Sequence, residues 1–188
     1  HCLMFGRITA NDEFEQSDQL RAIIGSHKKA FELLNNTAQN NALDDNHSQS
    51  NTQESTPFAR AQQQRRNDIL VYFALSLFEK RKAKSHMPAR LQRDIKALFA
   101  SYNECISAAK ELLFSVGAPQ TIGLACEQAC QHFDSHQSAG QLNQQHGKNH
   151  SYIFTKALLN QMPPAIRAYV GCATQLYGDL DGIDLIKV

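Results

Sequence analysis

The chain has 188 residues, 42% of them hydrophobic and 20% charged, with a formal net charge of +1. That length suits one ordinary domain and is short for two, and the composition excludes a wholly disordered chain. The near-zero charge hides an asymmetry: residues 1–56 balance to −4 and residues 97–188 to −2. Between them, residues 57–96 carry ten basic side chains against Asp68, Glu79 and Asp94, a balance of +7. A basic middle between acidic ends points to a local anion-binding surface.

In chain order, residues 2–8 (CLMFGRI) form a short apolar run, either a strand or the start of a helix. Asn11-Asp12-Glu13 or Ser17-Asp18 then caps a helix carrying Leu20, Ile23 and Ile24, which breaks at Gly25-Ser26. A short helix over Lys28 to Leu34 follows. Residues 35–56 are almost purely Asn, Gln, Ser, Thr and Asp. So little apolar surface cannot offset the entropy of ordering, and a flexible polar linker is expected. The expected organisation is a small N-terminal segment (1–34), this linker (35–56) and a helical domain (57–188).

A long helix is predicted from Phe58 to Lys84, with an apolar arc wide enough for contact on more than one side. Pro88 ends it. An unbroken helical run from Arg90 to Gly117 follows, with Leu91, Ile95, Leu98, Phe99, Tyr102, Ile106, Ala109 and Leu113 on one stripe and a left-handed cap at Gly117. Further helices are predicted from about Pro119 to Phe133 and from Ala165 to Tyr177, with a polar loop over 134–150. The final Ile183–Val188 is β-prone and stops mid-pattern, so more sequence is expected beyond it. The fold class expected is therefore mainly α, a compact multi-helix domain with at most short strands near the two chain ends.

The basic cluster Lys80, Arg81, Lys82 and Lys84, continued by Arg90, Arg93 and Lys96, is the candidate binding surface. Helix-borne cations at spacings of three or four residues can follow a phosphate backbone. No aromatic residues interleave with them, so nucleic-acid binding here would be mainly electrostatic. Cys126-x3-Cys130 and His146-x3-His150 mimic a zinc spacing, but neither pair sits in a knuckle turn, so no metal site is assigned. Five cysteines, an odd number, read as free thiols in a reducing cytosol rather than a disulfide framework. With no leader sequence and no long apolar run, a cytoplasmic location without membrane association is expected. No nucleophile elbow, phosphate loop or dinucleotide fingerprint is present, so neither a catalytic residue nor a cofactor is assigned, and whether the protein is an enzyme stays open.

Seven stretches together carry a family resemblance: FALSLFEKR (73–81), LQRDIKALFASY (91–102), LLFSVG (112–117), GK (147–148), YIF (152–154), PPAIRAYVGCA (163–173) and GIDLIKV (182–188). They resemble, in the same order, the non-Rossmann helical region of the methyltransferase-like proteins associated with bacterial DNA phosphorothioation. The likeness covers about residues 66–188. A tyrosine-x-histidine of that family reads Tyr152-Ile153-Phe154 here, and its tyrosine-glutamate-glycine-cysteine-alanine reads Tyr169-Val170-Gly171-Cys172-Ala173. Residues 131–145 stand as an insertion, and the family's methyltransferase domain has no counterpart in the chain. The resemblance implies a setting in DNA modification and phage defence, with DNA and another subunit of the modification system as partners. S-adenosylmethionine is implied only for the domain that this chain lacks. The leading expectation is a non-catalytic DNA-associated module. The alternatives are a module docking a partner subunit, or part of a methyltransferase without its cofactor domain.

Overall fold

The computed structural model describes residues 1–44, 56–78, 86–133, 141–145 and 148–188, without the side chains of 35, 37–44, 133, 141–145 and 148–150. The protein is mainly α-helical, and it divides into two units, His1–Arg66 and Asn67–Val188.

In the first unit, the opening apolar run forms a single helical turn, α1 (Cys2–Phe5), rather than a strand. Gly6 ends it at φ 59, and a Cβ there would lie 2.7 Å from Gln62 Cα and 2.8 Å from Ala61 O. Only glycine supplies both that backbone conformation and that clearance. A 3-10 turn (Asn11–Glu13) leads to α2 (Ser17–Ile24) and α3 (His27–Asp44). Arg7, buried, makes a two-pronged pair with Glu13, Nη1–Oε2 and Nη2–Oε1 both 2.7 Å. The Ala10 amide donates to the same carboxylate at 2.9 Å. His27 ties the short elements together. Its Nδ1 lies 2.9 Å from the Thr9 carbonyl, which can only accept, so the proton sits on Nδ1. In the neutral ring Nε2 then accepts from the Ser17 hydroxyl at 2.9 Å.

α3 runs through Asp44 and so takes in the first part of the expected linker. A helix already nucleated propagates through polar residues at small cost per residue. Residues 45–55 lie outside the described residues. The Phe31 and Phe58 rings meet at 4.4 Å, joining α3 to the start of α4 (Pro57–Ser76). The unit boundary falls within α4, at Arg66, rather than at the end of the polar segment.

In the second unit, α4 ends at Ser76, short of the Lys84 expected from its apolar arc. The Ser76 hydroxyl donates to the Phe73 carbonyl at 2.9 Å, and the Leu77 and Phe78 amides bond carbonyls three residues back. That tightening is a helix end. Pro88 precedes α5 (Ala89–Leu98) as predicted. The predicted run to Gly117 is two helices, however: Phe99 is extended at φ −134, and α6 (Tyr102–Ser115) starts afresh from Ser101. The left-handed cap expected at Gly117 is also absent: the positive-φ glycines are Gly6, Gly25, Gly178 and Gly182 among the described residues. Val116 stays right-handed and the chain tightens directly toward α7 (Pro119–Phe133).

β1 (Gln141–Gln145), β2 (Lys148–Thr155) and β3 (Leu185–Lys187) form an antiparallel sheet in the order β1-β2-β3. β1 and the first three residues of β2 occupy a stretch expected as loop. Phe154 pairs with Ile186, and Tyr152 and Val188 exchange backbone hydrogen bonds at 2.9 Å each. A 3-10 segment (Lys156–Gln161) leads to α8 (Pro164–Tyr177), with proline in its first turn. Two clusters make the core of this unit. Ile69, Phe73 and Ala74 of α4 meet Ile95, Leu98 and Phe99 and the Cys105, Ile106 and Ala109 face of α6. Ala125, Cys126 and Ala129 of α7 meet Tyr152 and Phe154 of β2, Met162, Ile166 and Val170 of α8, and Ile186.

Candidate nucleic-acid interface

α5 has two faces. Leu91, Ile95 and Leu98 turn to the cluster shared with α4 and α6, and Asp94 on that side is fully buried. Arg90, Arg93 and Lys96 come at three-residue steps, so at about 100° per residue they share an arc of about 120° on the opposite side. Arg90 and Lys96 are exposed and Arg93 is half-buried. The structure thus brings three of the seven predicted cations onto one helix face. Lys80, Arg81, Lys82 and Lys84 lie outside the described residues. The Gln92 side-chain amide donates to the Met87 carbonyl at 2.9 Å, fixing the entry to α5, and Lys96 in the last turn sits favourably at the negative end of the helix dipole.

The break between α5 and α6 is built by a reciprocal cap. The Glu104 amide donates to Ser101 Oγ at 3.0 Å, and the Glu104 carboxylate accepts from the Ala100 amide at 2.6 Å. A serine followed three residues later by glutamate is a recognised start signal, and SYNE carried it in the sequence. The apolar stripe passing through it masked that signal. The break leaves both Leu98 and Phe99 buried, and it exposes Asn103, Ser107 and Lys110 on α6.

Of the zinc-spaced residues, Cys126 and Cys130 lie one turn apart on α7, in or against the core. Burial, with the Glu127 carboxylate beside it, raises the Cys126 thiol above its ordinary 9.0, which disfavours the thiolate a metal needs. His146 and the His150 side chain lie outside the described residues. Among the described residues no three His, Cys, Asp or Glu side chains converge on a metal-sized site. The described strands are antiparallel, and none passes through a glycine-rich loop into a helix. Among the described residues no helix is long and apolar enough to cross a membrane.

Comparison of the chain with protein-family models, with curated proteins and with solved structures gives no match.

Proposed function

We propose that this protein is a non-catalytic helical module that associates with DNA in a bacterial phosphorothioation-linked modification and defence system. In this reading Lys80, Arg81, Lys82, Lys84, Arg90, Arg93 and Lys96 contact the phosphate backbone. The observation that carries it is the concentration of ten cations against three carboxylates in residues 57–96, with Arg90, Arg93 and Lys96 on the side of α5 that faces away from the core. The system itself is suggested by the resemblance over residues 66–188.

The test is duplex binding followed by fluorescence anisotropy at about 50 mM salt, where phosphate contacts are strong. Arg90→Glu together with Lys96→Glu is expected to weaken binding at least tenfold, at about 1 kcal/mol or more per contact reversed. Equal affinity of that variant and the parent for duplex DNA sinks the reading.

A second reading, a module docking a partner subunit, draws support from α8. Tyr169, Leu176 and Tyr177 share one side of it, and the last two are 70% and 90% exposed. Apolar side chains this open at helical spacing are the mark of an interaction face. Light scattering of the protein alone and with lysate-purified modification subunits tests it; a monomer that joins none of them rules it out.

A further inference from the structure

We infer that α5, the three-residue connection Phe99–Ser101 and α6 work as a helix–turn–helix. In it α6 reads base edges in the major groove of duplex DNA through Asn103, Ser107 and Lys110. This rests on the DNA-binding reading above and adds sequence recognition to it.

Three observations carry the inference. First, the connection is short and its conformation is imposed. Phe99 is extended, Ser101 caps α6 and Glu104 closes the cap onto Ala100, so the second helix leaves the first at one defined junction. Secondly, the two helices share one core, with Ile95, Leu98 and Phe99 packed together with Cys105, Ile106 and Ala109. In a helix–turn–helix that shared core lets the first helix lie across the backbone while the second enters the groove. The division of side chains matches those roles: α5 exposes cations and α6 exposes hydrogen-bonding groups.

Thirdly, Asn103, Ser107 and Lys110 are all exposed, and at spacings of four and three they form one stripe along α6. Neither a hydrogen bond nor an ion pair holds their side chains within the described residues. Serine costs only about 0.5 kcal/mol relative to alanine at such a helix position, and the exposed Ser107 hydroxyl is open to a contact outside the protein. Asparagine pairs with adenine through two hydrogen bonds, lysine donates to guanine, and serine suits either. Phe114, 77% exposed, extends the same stripe by one turn and offers apolar contact to a thymine methyl. Two carboxylates flank the stripe. Glu104 is turned back onto the Ala100 amide, and Glu111 beside Lys110 would tolerate a cytosine amino group and little else.

The experiment is selection from a randomised duplex pool with the full chain, then affinities for the enriched site and for random duplex. An enriched sequence is expected. Asn103→Ala, Ser107→Ala and Lys110→Ala should each weaken binding to that site, the Asn103 change by about tenfold, and leave random-duplex binding within about twofold. Asn103→Gln should change the preferred base rather than abolish binding. Thermal melts check that the variants fold. Duplex binding without an enriched sequence, or variants that weaken both duplexes equally, overturns the inference and leaves backbone binding intact. Failure to bind any duplex overturns both.

Discussion

Arg167 on α8 donates from Nη1 to Asp68 Oδ1 on α4 at 2.8 Å, across 99 residues of sequence. The two ends are not equally shielded: the arginine side chain is 11% exposed and the aspartate 35%. Losing the aspartate strands a mostly buried guanidinium, whereas losing the arginine leaves a carboxylate that water can reach. Asp68→Ala should therefore cost about 2 kcal/mol and Arg167→Met about 1 kcal/mol, the partial exposure holding both below a fully buried pair. Urea denaturation of the two variants measures the difference. Equal losses would mean that the guanidinium is solvated in the native state.

Near the same seam α8 approaches α4 at a glycine. A Cβ on Gly171 would lie 2.5 Å from Leu75 Cδ1 and 2.6 Å from Cδ2. Gly171→Ala is expected to lower stability by about 1–2 kcal/mol through overpacking, despite the better helix propensity of alanine. Leu75→Ala in the same chain should recover part of that loss, because it removes the atoms in the way. A double-mutant cycle reads the coupling, and additive effects would place Leu75 elsewhere.

The Ser101 hydroxyl is one half of the cap at the α5–α6 junction. Ser101→Ala should cost about 1 kcal/mol, and Ser101→Asp should restore most of it, since aspartate caps a helix equally well. If thermal melts of Ser101→Ala match the parent, the two helices are not held apart by the cap.

Burial raises the Cys126 thiol, and Glu127 adds to the effect; burial raises Cys172 as well. A thiol whose folded pKa lies above its unfolded 9.0 binds its proton more tightly when folded. Its contribution to stability is complete below that value and is lost as the pH rises through the folded pKa. The protein should thus lose stability above about pH 9 more steeply than Cys126→Ala does. Parallel curves of stability against pH for the two proteins would show that the thiol is not the group responsible.

The parts legible in the sequence were those fixed by local patterns. Pro88 before α5, the start of α7 at Pro119 and the proline-led α8 all follow from proline's fixed φ and missing donor, and each lies where it was expected. Sequence pattern and structure part where two signals compete or where the decisive partner is distant. The stripe through Leu98, Phe99 and Tyr102 suits one helix, but Ser101 and Glu104 form a stronger local unit and split it. The QLNQQ of β1 carries no alternation of apolar residues; its strand exists because Gln141 to Gln145 pair with β2, itself held by β3 from 30 residues further on. Of the candidate interface, the cations were visible as charge, whereas the stripe on α6 became visible only once that helix had its own starting point.

The central claim, backbone contact through the basic segment, is tested most directly by the salt dependence of duplex binding. For the full chain, a plot of log K against log salt should be linear, with a slope of about −0.9 for each phosphate contact. Replacing Arg90 and Lys96 with glutamine should flatten that slope by about two contacts' worth, uniformly across DNA sequences. A slope near zero, or one unchanged by both substitutions, would contradict the claim.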